Sequence, residues 1–291
     1  MNFTLELPPN YRAREVLAFH GRDPQGMAEQ VGTANMRKGF VLSGLAVTIE
    51  ISLGQGMAHC NVDADGELPE DSGETLPTIA RNLLGLTIDP SPFEAVAKDD
   101  ALFGSLVARQ SGLRVPQAAT PFEALTWAVI GQQINLPFAI ALRRTLIQLA
   151  GRRHSGGLWC YPEPTDILRI DASDPAWHKF SQAKTATVLR VARLVAEGEL
   201  VLDEMKHWPS EEIYSALLAI KGIGPWTANY TLMRGFASPD CSLHGDAGIK
   251  TALQRQSDGL ARTRTEIEIL LERYKPHRSM AAAHLWASLV P

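Results

Sequence analysis

The stretch AIKGIGPWTANY, residues Ala219 to Tyr230, constrains the fold more than any other. An apolar run meets two glycines and a proline, then resumes at once with Trp, Asn and Tyr. Upstream, Ile213, Ala216, Leu217 and Ile220 recur at helical spacing behind Ser210, the expected N-cap, and Glu211 and Glu212 suit the positive end of the helix dipole. Gly222 and Gly224 permit positive φ and remove side-chain bulk. Pro225 lacks an N–H and fits the first position of a new helix. Lys221 to Gly224 is therefore expected to form a tight hairpin between two helices. The start of the second helix presents unpaired backbone N–H groups, an anion site that needs no basic side chain. An ordinary corner between helices is the alternative.

Around this hairpin the chain reads in two parts. From Phe3 to about Gly66 the period is two, in FTLEL, KGFVLSGLAVTIEISLGQG and MAHCNVDADG, with glycine or Asp-Gly at the turns. A small antiparallel sheet is expected, interrupted by one helix over Tyr11 to His20 after Pro8-Pro9. A second helix is expected from Pro77 to Leu84, and beyond a boundary near residue 90 the periodicity is helical to the end. Helix starts are marked by Thr120-Pro121, Asn135-Leu-Pro, Pro209-Ser210 and Thr263.

Composition excludes several classes. With 291 residues the chain is too long for one ordinary domain. No run approaches the ~18 apolar residues of a membrane helix. The N-terminus MNFTLELPPNYR lacks the layout of a secretory signal, so a cytoplasmic location is expected. Cys60, Cys160 and Cys241 lie far apart with no C-x-x-C, which favours buried structural thiols over disulfides or Cys-ligated metal. Among His20, His59, His154, His178, His207, His244, His277 and His284 no pairing with a carboxylate has metal-site spacing, so no divalent metal is expected. A net charge of −4 argues against coating a polyanion by bulk charge, though a local basic face remains open.

About two dozen residues past the hairpin comes HGDAGIK, with Asp246 at the expected start of another helix. The pattern Leu-x-x-Ile-x-Gly-Ile-Gly-x-Trp-Thr-Ala-x-Tyr, then Arg234-Gly235, then Asp246 followed two residues on by Gly-Ile-Lys, resembles the helix-hairpin-helix-Gly/Pro-Asp superfamily of DNA glycosylases. Within it the chain is most similar to the bacterial 3-methyladenine DNA glycosylase II (AlkA) family. PFEALTWAVIGQQI, RYKPHRSMAAAHLW and PPNYRAREVLAFH resemble further segments of that family, so the likeness covers nearly the whole chain.

The resemblance implies an α+β fold. A TATA-binding-protein-like antiparallel β domain over 1–90 would precede two mainly helical subdomains, 91–121 with 239–291, and 122–238. The second would hold the helix-hairpin-helix at 210–235, with the active-site cleft between the two. It implies a monomeric enzyme acting on double-stranded DNA, excising 3-methyladenine and other N-alkylpurines by base flipping, with no required cofactor and no membrane partner. Asp246 becomes the expected catalytic carboxylate, since base loss passes through an oxocarbenium-like sugar that an anion stabilises. Trp226, Tyr230, Phe19, His277 and Trp286 become candidate walls of the base pocket, where a cationic purine suits aromatic faces. Lys221, Gly222, Ile223 and Gly224 would form the DNA-binding hairpin. Gln132, Gln133 and Ile134 would occupy the loop that in the family fills the gap left by the flipped base. A monovalent cation on the carbonyls of Leu218, Ile220 and Ile223 is also suggested. Bifunctional relatives such as endonuclease III carry a nucleophilic lysine where this chain has Trp226, so hydrolysis without a lyase step is expected.

Two departures bear on the substrate. His277 stands where the family often has Trp, and Ala247 replaces an aromatic after the catalytic Asp. A pocket favouring oxidised, deaminated or 1-methyladenine bases, or a damaged-DNA-binding protein without catalysis, are the alternatives. Lys221, Arg234, Lys250 and Arg255 read individually as solvated surface charges rather than phosphate contacts.

Overall fold

The computed structural model describes residues 1–171, 173–256 and 263–289. The N-terminal part holds β1 (Asn2–Glu6), α1 (Ala13–His20), β2 (Glu29–Val31), β3 (Asn35–Leu42), β4 (Leu45–Gly54), β5 (Met57–Ala64) and α2 (Ser72–Leu83). The helical part runs through α3 (Ser91–Ala97), α4 (Gly104–Gln110), α5 (Pro121–Gly131), α6 (Leu136–Ala150), α7 (Pro164–Leu168) and α8 (Gln182–Ala196). It continues with α9 (Ser210–Leu218), α10 (Pro225–Gly235), α11 (Ala247–Gln256), α12 (Arg264–Glu272) and α13 (Arg278–Ala287). A short hairpin, β6 (Arg152–Arg153) and β7 (Trp159–Cys160), lies between α6 and α7.

The sheet is antiparallel throughout, in the order β1-β5-β4-β3-β2. Its two central hairpins turn on Ser43-Gly44 and Gln55-Gly56, all four residues at positive φ. Such mirror-image turns match the natural twist of the strands. Val47, Ile49 and Ile51 alternate inward beside Ala58, Cys60 and Val62, and Val16 and Leu17 of α1 with Leu76, Ile79 and Leu83 of α2 cover that face. The other face receives Cys160 of β7 against Val41 and Ala46. All three cysteines are free and buried.

Three local expectations need correction. The helix expected from Pro77 begins five residues earlier, at Ser72, with Pro77 inside it. The buried row of Leu76, Ile79, Ala80 and Leu83 holds the helix together across a residue that cannot donate. Ser210 is not an N-cap. Pro209 takes that place, and the Ser210 hydroxyl meets the Ser238 hydroxyl at 3.1 Å. Nor is the chain wholly helical beyond residue 90, because β6 and β7 interrupt it. Thr120, Asn135 and Thr263, in contrast, cap their helices through side-chain oxygens. The helical segments share one continuous apolar core. Among the described residues no helix is long and apolar enough to cross a membrane.

Four charges join the sheet to the helices. Lys38 points inward in the same strand row as Met36 and Phe40, opposite Glu29 in the β2–β3 register, and is 1% exposed. Its Nζ lies 2.5 Å from Glu29 and 2.6 Å from Glu123 in the first turn of α5. Arg143 of α6 donates to Glu29 at 2.6 and 2.9 Å and to Glu123 at 2.6 Å. Each carboxylate thus faces both cations, and the ring of charges sums to zero. The two guanidinium and ammonium neighbours hold Glu29 well below the usual carboxylate range despite its burial.

A Lys38→Met substitution leaves two buried carboxylates sharing one guanidinium. It is expected to lower unfolding free energy by about 3–5 kcal/mol, read by urea denaturation. Acid sensitivity has a separate source. His20 is buried with Nε2 2.8 Å from the Leu83 carbonyl, and burial pulls its pKa down to about 4 from an ordinary 6.5. Between those values the unfolded chain binds the extra proton, so stability falls as pH drops from 6.5 to 4, by roughly 3 kcal/mol for this residue. His20→Gln is expected to flatten that slope by one proton in denaturation titrations across the same range.

Candidate active site

The predicted hairpin forms. Gly222 sits at φ +102°, and a Cβ there would lie 2.2 Å from the Thr187 hydroxyl of α8. Gly224 adopts extended backbone and Pro225 opens α10, which has no side-chain cap on its first turn. α10 then lies close along α5, because a Cβ on Gly235 would already touch Ala124 and Pro121 at 3.1 Å. That explains the glycine after Arg234.

Trp226 and Tyr230, one turn apart on α10, stack with ring centroids 5.1 Å apart and an interplanar angle of 30°. Trp286 near the end of α13 stands 6.3 Å from Tyr230. Both indoles converge on Asp246: Trp226 Nε1 donates to Oδ2 at 3.0 Å and Trp286 Nε1 to Oδ1 at 2.9 Å. Oδ1 also accepts from the Ile249 backbone at 3.0 Å, so the same carboxylate caps α11. Three donors from three helices fix its orientation. Oδ2 accepts only one of them and retains capacity for a water. Gly248 makes room for this, since a Cβ there would come within 3.0 Å of Asp246 Oδ1 and 3.1 Å of the Trp286 ring.

The opposite side of the aromatic layer is cationic. Arg234, expected at the surface, is instead buried: its Nη1 donates to the Pro116 carbonyl at 2.6 Å and its guanidinium lies 4.3 Å from the Phe19 ring centre and 5.4 Å from that of Trp286. A helix position alone cannot reveal what packs over it. Burial lowers its pKa to about 10, which leaves it charged at neutral pH. Arg22 covers Phe19 at 3.9 Å and approaches Trp127 at 5.2 Å. Trp127 Nε1 in turn donates to the Tyr230 hydroxyl at 2.9 Å. Arg22 and Trp127 carried no signal in the sequence reading, because their partners lie on other elements.

His277 stands apart from this cluster. It precedes α13 while Trp286 sits near its far end, roughly 13 Å along the axis. Ala247 is exposed at the first position of α11. In the loop after α5, Gln132 donates to the Gly222 carbonyl at 3.0 Å and to the Thr227 hydroxyl at 2.9 Å. Gln133 is exposed at φ +56°, and Ile134 packs partly against the helical core. Lys221 is exposed, with its carbonyl accepting from Arg190 at 2.9 Å. Of the three carbonyls considered for a cation, that of Ile220 accepts from Ile223 N at 3.0 Å. Among the described residues no three His, Cys, Asp or Glu side chains gather as a metal site.

No protein-family model matches the chain. A DNA-3-methyladenine glycosylase of Bacillus subtilis is 33% identical over 205 residues, covering 69% of this chain and 68% of that protein. A putative DNA-3-methyladenine glycosylase of the same organism is 31% identical over 169 residues, and the match spans 58% of its length as of this chain's. A solved 3-methyladenine DNA glycosylase from Archaeoglobus fulgidus has the same fold, with a TM-score of 0.81 at 22% identity over 98% of this chain and 97% of that one.

The hairpin geometry is open to a direct check. Gly222→Ala places a side chain at a left-handed φ and against Thr187, and thermal unfolding is expected to show a loss of about 1–3 kcal/mol.

Proposed function

The chain belongs to the DNA-3-methyladenine glycosylase family of base-excision DNA-repair hydrolases, and from that membership we propose that Asp246 is its catalytic carboxylate in the release of alkylated bases. The observation that carries this reading is the pair of indole N–H groups, from Trp226 and Trp286, that aim the carboxylate beside an aromatic layer. An N-alkylpurine carries positive charge, leaves easily, and is attracted to the face of a tryptophan or tyrosine ring. Extruded from the duplex, it would enter against Trp226, Tyr230 and Trp286, with Phe19 on the far side.

In this reading the C1′–N9 bond breaks with its electron pair passing to the base. Asp246 stabilises the cationic sugar and orients a water through Oδ2. The water oxygen bonds to C1′ and its proton leaves through the carboxylate. Trp226 occupies the place of a nucleophilic lysine, which supports hydrolysis without strand cleavage. Lys221 to Gly224 and the uncapped start of α10 would take a DNA phosphate on backbone N–H groups. Gln133, exposed where Gln132 is tied down and Ile134 is packed, is the side chain best placed to fill the gap in the duplex. One copy of the chain supplies every residue of this site.

Asp246→Asn keeps the shape and removes the charge. Single-turnover release of 3-methyladenine from methylated duplex DNA is expected to fall by about 10²–10³-fold, with thermal stability and binding to an abasic-site duplex retained. Release at the parent rate would remove Asp246 from the mechanism. A parent protein that binds the abasic duplex yet frees no base would support a binding role alone.

A further inference from the structure

The backbone of Gln133, between α5 and α6, is held at φ +56°, a left-handed conformation that crowds the Cβ of any residue other than glycine. Ser43 and Gln55 share that conformation inside two-residue strand turns, but Gln133 follows a helix. A helix that ends this way usually carries glycine at such a position. Here Gly131 comes two residues too early, within α5, and the strained place falls to an exposed glutamine. Strain of this kind persists only where the surroundings over-determine the backbone, and it gathers at functional sites.

The group that fixes it is Lys184 of α8. Its ammonium is buried, with the residue 8% exposed, and it donates to the carbonyls of Val129 at 3.3 Å, Ile130 at 2.8 Å and Gln132 at 2.5 Å. All three of its N–H groups thus go to carbonyls that the end of α5 leaves open, at the negative end of that helix. Among the described residues it forms no ion pair, and burial pulls its pKa below the ordinary lysine value. The lysine is itself rooted, since its backbone N–H donates to the Ser181 hydroxyl that caps α8. Gln132 is held at both ends, its carbonyl by Lys184 and its side chain by the Gly222 carbonyl and the Thr227 hydroxyl. On the far side of Gln133, Asn135 caps α6 by accepting from Phe138 N at 2.9 Å. Gln133 is an exposed side chain on a backbone pinned before and after it.

We propose that Lys184 is a positioning residue for base extrusion: by gripping the carbonyls at the end of α5 it keeps Gln133 in its left-handed conformation, so that this side chain is already aimed when the duplex opens. The inference rests on the glycosylase reading above and deepens its assignment of Gln133. A loop free to rearrange would have to be ordered at the moment of extrusion, and that entropy would add to the cost of unstacking the base. With the loop set beforehand, the barrier contains the unstacking alone. Lys184 touches neither the DNA nor the base, and its effect passes entirely through Gln133.

The test is a double-mutant cycle on Lys184→Met and Gln133→Ala, read by single-turnover release of 3-methyladenine from methylated duplex DNA. Gln133→Ala keeps the strained backbone and removes the side chain, and is expected to slow release by about tenfold. Lys184→Met is expected to slow it by about tenfold in the parent background and by less than about twofold in the Gln133→Ala background, because both changes remove one function. A lysine that served only the stability of the fold would cost the same in both backgrounds. Circular dichroism verifies folding, and Lys184→Gln, too short to satisfy all three carbonyls, carries the same cycle if Lys184→Met does not fold. Release at the parent rate by Lys184→Met or by Gln133→Ala, or an equal loss from Lys184→Met in both backgrounds, overturns the proposal while leaving the glycosylase reading intact. A parent protein that frees no base from any duplex defeats that reading, and this inference with it.

Discussion

The ring of Lys38, Glu29, Arg143 and Glu123 governs how the two parts of the molecule meet. Each ion is out of water, where an unpaired charge costs several kcal/mol, so none can be buried without the others. The sheet contributes Glu29 and Lys38, and the helical body contributes Glu123 and Arg143. Because Glu123 sits in the first turn of α5, the ring fixes that helix against β2 and β3. It thereby sets the end of α1 over α10, with Phe19 between Arg22 and Arg234. One side of the aromatic cluster thus comes from the N-terminal part, and the buried ions hold it there.

A second strut, α8, ties the loop after α5 to the 221–224 hairpin. Its Lys184 donates to the carbonyls of Ile130 at 2.8 Å and Gln132 at 2.5 Å, closing the end of α5. One turn on, Thr187 fills the space that Gly222 leaves empty, and a turn further Arg190 holds the Lys221 carbonyl. Gln132 then bridges the loop to the hairpin directly. The loop after α5 and the 221–224 hairpin are therefore parts of one bonded unit. Trp226 follows from that unit by two residues, so the hairpin and the aromatic layer are set in fixed relation.

Legibility in the sequence followed locality. The Gly222 to Pro225 break, the caps at Thr120, Asn135 and Thr263, and the period-two strands are written within a few residues and reappear in the structure. Features that depend on distant partners left no trace. β7 can lie against β3 because the Trp159 carbonyl occupies the place a side chain on Gly39 would take, more than a hundred residues away. Arg234 reads as a surface charge and Lys38 is not singled out at all, since nothing beside them in the chain names Phe19 or Glu123. Likewise Gly248 could be matched to a family pattern, but its reason, clearance for Asp246 and Trp286, is visible only in three dimensions.

The site divides its charge across the aromatic layer. Asp246 lies on the side where Trp226 and Trp286 point their N–H groups, and the guanidiniums of Arg22 and Arg234 lie on the side of Phe19. Glycosidic cleavage separates charge in the same sense, with the sugar becoming positive and the departing base gaining an electron pair. An anion at the sugar helps every substrate alike. A cation at the base helps most when the base starts neutral, and least when an alkyl group has already made it a good leaving group. In a dry pocket both effects exceed their size in water, because fixed charges there need no reorganisation as the bond breaks.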